Sequence, residues 1–334
     1  MREDRNMKRS AVAIPAVALA SLLSGGCLLG RRHIEQWRQN PDPLGGIPVR
    51  FPPSERRTVV MSDGAEIATW TAGSGPTIVL VHGLTASRHD WGPMAPLLIA
   101  AGYRIVAIDQ RGHGDSTAGT AGYGSEQLGA DLAEVFELLD LRARCLVGHS
   151  MGAMAAMGFA VRHSAVFEQR VQSLVAIASA GATNSKRQSL GLRIGARELP
   201  NALTGVDNER LRLIAGLSVF GKGPSLHMVD ESTNAFWRCP ESVRAPATAA
   251  LGAHDLLDEL GSIQVPSLVV GAGRDQLVRP KQVADLHAAL PHSQLVTYPE
   301  AGHMVLWERH VEVAEQIDWF AQSLVPSQQG SEQD

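Results

Sequence analysis

The sequence predicts an α/β fold: a mostly parallel central sheet with helices on both faces and a helical cap insertion. Three observations carry that prediction. Short runs rich in Val, Ile and Thr recur along the chain, and between them apolar residues recur at helical spacing, the alternation expected of a parallel sheet buried on two sides. A serine framed by glycines, Gly148-His149-Ser150-Met151-Gly152, sits between the strand-type run Arg144-Cys145-Leu146-Val147 and the helix formers Ala153-Met154-Ala155-Ala156-Met157. From about residue 181 to 260 the strand rhythm stops and helical stretches take over. With 334 residues, 44% of them apolar and 19% charged, the chain can bury a sizeable core, roughly three quarters of its unfolded surface. A net charge of -4 without a clustered Lys/Arg face argues against a nucleic-acid partner. Three cysteines, Cys27, Cys145 and Cys239, make no disulfide framework, and no Cys/His cluster has metal-binding spacing.

Taken in order, residues 2–9 carry Arg2, Arg5, Lys8 and Arg9 against Glu3 and Asp4, and Ala11 to Gly30 contains no charge. A basic region followed by an apolar one is the pattern of an export signal or membrane anchor, assigned here to residues 1–30. Pro15, Ser21, Ser24, Gly25 and Gly26 make it a poor spanning helix, which favours cleavage over a permanent span. Leu23-Ser24-Gly25-Gly26-Cys27 resembles a bacterial lipobox, with the leucine four residues before the cysteine instead of three, so Cys27 is the lipidation candidate. The leading expectation is an exported chain in the cell envelope, tethered to the membrane as a lipoprotein. A soluble exported form, an uncleaved anchor and a cytoplasmic extension are the alternatives. Residues 31–55 hold Pro41, Pro43, Pro48, Pro52 and Pro53 with Gly45-Gly46, and read as an extended tether that would hold the body off a membrane surface. Residues 56–324 form the main domain, and 325–334 a polar, flexible tail.

Within that domain, Thr58–Ser62 and Glu66–Thr71 read as a hairpin around Asp63-Gly64, and Thr77–Val81 as a third strand after Gly73-Ser74-Gly75-Pro76. Arg104–Ile108 is a fourth. Leu128, Leu132, Val135, Phe136 and Leu139 then share a helical face before the strand that leads to Ser150. Later strand-type runs are Val171–Ala178, Ser267–Gly271 and Leu295–Tyr298. The glycines two positions either side of Ser150 suit a turn too cramped for side chains. A helix beginning after Ser150 aims backbone N–H groups at any negative charge developing beside it.

Five motifs stand in order: His82-Gly83 after the third strand; Asp109-Gln110-Arg111-Gly112-His113-Gly114-Asp115-Ser116; Gly148-His149-Ser150-Met151-Gly152; Gly273-Arg274-Asp275-Gln276-Leu277-Val278; and Gly302-His303-Met304. From about residue 57 to 324 the chain thereby resembles the α/β-hydrolase family, serine-nucleophile branch. The resemblance implies Ser150 as nucleophile, His303 as general base and then acid, and Asp275 as the group that orients and charge-stabilises the imidazole. A serine hydroxyl is a weak nucleophile until such a base takes its proton. The resemblance also implies an oxyanion hole from the backbone N–H groups of Leu84 and Met151, structural roles for His82, His113 and His149, a loop-fixing network of Asp109, Arg111 and Asp115, and no cofactor or metal.

In the cap, Leu211, Ile214, Leu217 and Phe220 share one helical face, and Val243, Ala247, Ala250 and Leu251 another. The family resemblance makes this insertion a lid, with Met228, Phe236 and Trp237 as candidates to line an acyl pocket. The cap lacks tyrosine, and serine stands where epoxide hydrolases and dehalogenases carry aspartate. The expected function is hydrolysis of small-molecule carboxylic esters, hydrophobic or lipid-derived, through an acyl-enzyme on Ser150. The same residues would serve a carbon–carbon bond hydrolase or a cofactor-free perhydrolase, and a ligand receptor on this fold is the alternative outside enzymes.

Overall fold

Asp63-Gly64 turns the chain as expected, with Gly64 at φ 84°, and pairs β1 (Glu55–Val60) with β2 (Glu66–Ala72) antiparallel. The computed structural model describes residues 27–183 and 208–324. In it β1 and β2 join β3 (Thr77–Val81), β4 (Arg104–Ile108), β5 (Cys145–His149), β6 (Leu174–Ile177), β7 (Ser267–Ala272) and β8 (Ser293–Tyr298) in an eight-stranded sheet. The order is β1-β2-β4-β3-β5-β6-β7-β8, and β3 to β8 run parallel. Every residue of β3, β5, β6 and β7 is buried, which explains their unbroken apolar runs. At one edge β1 exposes Glu55, Arg56 and Arg57, charges that discourage pairing with another chain.

The chain moves from β3 out to β4 and returns to β5 on the other side of β3. The strand order therefore reverses between β3 and β5, and the crevice beyond their C-terminal ends is where an open α/β sheet binds ligands. His82-Gly83 and Ser150 both open onto it. One face of the sheet is covered by α3 (Ser125–Leu138) and α4 (Met151–Arg162), whose backbones nearly touch: a Cβ on Gly158 would lie 2.1 Å from the Ser125 carbonyl oxygen. The other is covered by α2 (Ala95–Ala100), α10 (Val305–Glu308) and α11 (His310–Ser323) around Trp91, Trp307 and Phe320. α5 (Ser164–Arg170) and α9 (Pro280–Ala289) complete the body.

Between β6 and β7 the chain builds the cap: α6 (Asn208–Ser218), α7 (Leu226–Arg238), α8 (Glu241–Leu251) and a 3-10 turn, Leu257–Ser262. Residues 184–207, inside the predicted insertion, lie outside the described residues. Val243 and Ala247 pack with Tyr123 and Cys239 beside Leu84, so α8 rests on the loop after β3. Strand ends shift by a few residues where pairing outruns the apolar run: β5 continues through Gly148 and His149, which pair with β3 and β6. β6 stops short because Ala178 turns to φ 47°.

The stretch 31–55 departs most from expectation. It is not an extended tether. α1 (Cys27–Gln39) packs on α6 and α7, and Trp37 lies on Gly216, where a Cβ would come 2.2 Å from the indole. Asn40 Nδ2 donates to the Pro224 carbonyl at 2.9 Å, and Asp42 accepts from Ser225 Oγ at 2.9 Å and pairs with His227 Nδ1 at 2.8 Å. Beyond them Leu44, Val49 and Phe51 are buried in the main core, and the Phe51 N–H donates to His89 Nδ1 at 3.0 Å. The prolines and glycines shape turns that seat apolar side chains, each worth about 1.5–3 kcal/mol when fully buried. The segment is thus a strap across cap and body. Cys27 is the first residue of α1. Residues 1–26 and the tail 325–334 lie outside the described residues, and among the described residues no helix is long and apolar enough to cross a membrane.

Candidate active site

Ser150 stands between β5 and α4, at φ 51°, ψ -116°, as the residue that caps the helix. Non-glycine residues rarely adopt that backbone, and its cost is of order 1–3 kcal/mol. Tight surroundings hold it. A Cβ on Gly148 would lie 2.4 Å from the Ala153 nitrogen, and one on Gly152 2.2 Å from the Val81 carbonyl oxygen. The Ser150 N–H donates to the Ile177 carbonyl at 2.9 Å, and Ser179 Oγ donates to the Ser150 carbonyl at 2.9 Å. Ser179 had no signal in the sequence, because it acts from the loop after the neighbouring strand. Met151, fully buried, is the first helical residue, so its N–H has no partner within the helix.

Asp275 and His303, 28 residues apart, meet: His303 Nδ1 donates to Asp275 Oδ2 at 2.8 Å. The other carboxylate oxygen accepts the N–H groups of Leu277 and Val278, each at 2.8 Å, so the loop before α9 fixes the carboxylate while one oxygen faces the imidazole. With Nδ1 carrying the proton, Nε2 is left as the acceptor. His303 lies on the loop after β8, which Glu308 ties down by accepting the N–H groups of Gly302 (2.8 Å) and Gly221 (3.0 Å). Burial raises the Glu308 carboxyl above its ordinary value. The loop also abuts the serine turn: His149 Nε2 donates to the His303 carbonyl at 3.0 Å, and the two rings stand 5.0 Å apart.

On the third side, the loop after β3 carries Leu84, half-buried. A Cβ on Gly83 would lie 3.4 Å from Ser150 Cβ, so this loop passes directly beside the serine. His82 Nδ1 donates to the Gly83 carbonyl at 2.7 Å, and its Nε2 accepts the Gln110 N–H at 3.0 Å. Both nitrogens are thus engaged by a neutral ring, and burial pushes its pKa down to about 3. Behind it, Asp109 accepts the Arg88 and Asp115 N–H groups at 2.7 and 3.0 Å. Arg111, fully buried, forks onto both Asp131 oxygens at 2.6 Å and reaches Asp63 at 2.8 Å. These ion pairs brace the crossing loops away from the serine.

The three pocket candidates are not brought together. Met228 is fully buried among core residues such as Leu213, Phe220 and Met304. Phe236 and Trp237 lie two turns further along α7, about 12 Å by helical rise, edge to face with the Arg244 guanidinium over Phe236 at 4.4 Å. Trp237 is 42% exposed. On a helix of 3.6 residues per turn Met228 and Trp237, nine residues apart, point to opposite sides, so the three apolar cap residues cannot line one pocket from one helical face. A group the sequence did not single out is Asp90, on the 3-10 turn Arg88–Trp91. Burial pushes its carboxyl up to about 7, with Arg238 of α7 opposing the shift.

Residues 78–316 match the model of a family described as the alpha/beta hydrolase family. Among similar proteins, a non-heme haloperoxidase of Rhodococcus erythropolis is 30% identical over 256 residues, 73% of this chain and 92% of the relative. Solved structures with the same fold include an esterase from Exiguobacterium antarcticum, with TM-score 0.71, 23% identity and coverage of 80% of this chain and 100% of that one. Another is a membrane phospholipase A, with TM-score 0.66, 24% identity and coverage of 92% and 95%.

Proposed function

The chain belongs to the alpha/beta hydrolase family, and from that premise we propose that it is a serine hydrolase of carboxylic esters working through an acyl-enzyme on Ser150. The observation that carries this reading is the buried Asp275–His303 hydrogen bond at 2.8 Å, which leaves Nε2 as a base on the loop that abuts the serine turn. His303 Nε2 takes the Ser150 proton as Oγ attacks the ester carbonyl, and the resulting oxyanion accepts the N–H groups of Met151 and Leu84. Each such donor contributes about 3 kcal/mol to the transition state. The imidazolium, held by Asp275, then protonates the departing alcohol, and water activated by the same base releases the acid.

Hydrophobic or lipid-derived esters are the substrate class we favour, supported by the apolar helical cap that rests beside Leu84. The location we propose is the cell envelope, on the strength of the basic and apolar N-terminal pattern, with Cys27 as the lipidation candidate. A Cys27 anchor at the start of α1 would hold the cap, not a distant body, at the membrane.

The test is hydrolysis of a chain-length series of p-nitrophenyl esters by the full chain in detergent, beside Ser150→Ala. The variant is expected to lose at least about 10⁴-fold in kcat. Turnover equal in both proteins would overturn the serine mechanism. A second reading, perhydrolysis, draws on the name of the haloperoxidase relative. Hydrogen peroxide would replace water at the acyl-enzyme, giving a peracid and free Ser150, and peroxide-dependent peracid formation distinguishes the two.

A further inference from the structure

We propose that His149 is a positioning residue: its Nε2–H···O=C bond to the His303 backbone holds the His303 imidazole in register with the Ser150 hydroxyl. The inference rests on the serine-hydrolase reading above.

His149 immediately precedes Ser150 and is 3% exposed. Its Nε2 lies 3.0 Å from the His303 carbonyl oxygen, and because a carbonyl has no proton to give, the proton sits on Nε2. Nδ1 is then a bare acceptor, and it is buried without a hydrogen-bond partner. It faces the backbone of the loop after β3, where a Cβ on Gly83 would lie 3.0 Å away. An orphaned ring nitrogen is unfavourable, and an apolar side chain would fill this space without it. What the imidazole provides instead is one N–H aimed at the backbone of the base.

That bond joins the two elements whose separation matters most. Ser150 rides on β5 and the start of α4, whereas His303 hangs on a loop beyond β8, three strands away across the sheet. Asp275 orients the imidazole from the far side, and Glu308 ties down Gly302. His149 spans from the residue beside the nucleophile to the residue bearing the base. The rings stand 5.0 Å apart at 49°. Burial holds His149 well below the ordinary histidine range, so it stays neutral beside an imidazolium at His303, where a second cation would oppose proton transfer.

The test compares His149→Phe, which keeps an aromatic ring without the donor, with His149→Gln, whose Nε2–H reaches toward the same carbonyl. The Phe variant is expected to lower kcat roughly 10- to 100-fold with KM within about twofold, as for a misplaced base, and the Gln variant to recover most of that loss. The acid limb of the kcat/KM profile should move in the Phe variant and return in the Gln variant. A Phe variant with wild-type kcat, a change confined to KM, or a Gln variant no better than Phe would overturn the proposal. If the Phe variant does not fold, ¹⁵N-histidine spectra of the wild-type chain decide. His149 should remain the neutral Nε2–H tautomer from pH 5 to 9, and an Nδ1–H tautomer or a titration in that range overturns the assignment. Fluorophosphonate labelling separates the two readings: a wild-type chain not labelled at Ser150 removes the serine-hydrolase reading, while the spectra still report on the His149 bond.

Discussion

The backbone at Ser150 is tolerated only because the residues two positions either side of it, Gly148 and Gly152, are glycines. A methyl group at Gly152 would sit 2.2 Å from the Val81 carbonyl oxygen and 2.6 Å from that of His82, backbone atoms of the last residue of the central strand β3 and of the buried residue that follows it. Gly152→Ala is therefore expected to destabilise the fold by about 3 kcal/mol, read as a drop in thermal midpoint together with lost activity. Gly122 meets nothing within 4 Å, so Gly122→Ala serves as the control and should leave both unchanged. This part of the site was legible in the sequence, because a strand, a cramped turn and a helix within a dozen residues leave little for distant contacts to decide. His149 was legible only as a filler of that motif, since its partner lies 154 residues away.

At the scale of elements, the strap 31–55 turns a cap resting on the body into a cap fastened to it. Asp42 is its polar rivet. Partial burial pushes the Asp42 carboxyl up, but hydrogen bonds from His227, Ser225 and the backbone outweigh burial and hold it below its ordinary value. A carboxylate with a lowered folded pKa contributes stability above its unfolded pKa and loses it as pH falls through the folded one. In the wild-type chain the rivet should therefore persist at neutral pH and loosen only below about pH 4. Asp42→Asn should loosen it at every pH. The expected outcome is faster hydrogen exchange across residues 225–228 in the variant at pH 7, and equally fast exchange there in the wild type would overturn this account. The strap escaped sequence reading because proline-rich composition describes local stiffness, while the close approaches that seat α1, Trp37 on Gly216 and Gly30 against Leu213, involve partners far along the chain.

For the molecule as a whole, the buried Asp90 carboxyl sets a pH dependence. Its folded pKa is raised to about 7, first by burial, so the folded state keeps a proton that the unfolded chain releases near pH 4. Stability from this group is full below the unfolded value and is lost as pH rises through the folded one. Asn cannot ionise, so Asp90→Asn should remove that loss. Urea unfolding at pH 5 and pH 8 should show the variant gaining on the order of 2–3 kcal/mol relative to wild type across the window. A constant difference at both pH values would show that Asp90 ionises normally in the folded chain.

By itself the sequence determined the strand-and-helix alternation, the serine turn, and the order in which Ser150, Asp275 and His303 appear. Each of these is written in local periodicity or in short motifs whose residue types are demanded by backbone geometry. The tertiary structure alone decided which side chains meet. It placed Asp275 Oδ2 against His303, carried the His149 donor to the His303 carbonyl and seated the strap on the cap. It separated Met228 from Phe236 and Trp237, which the resemblance to a lid had left as one group. Such pairings depend on strand order and on the packing of elements tens to hundreds of residues apart, and no local pattern encodes that distance.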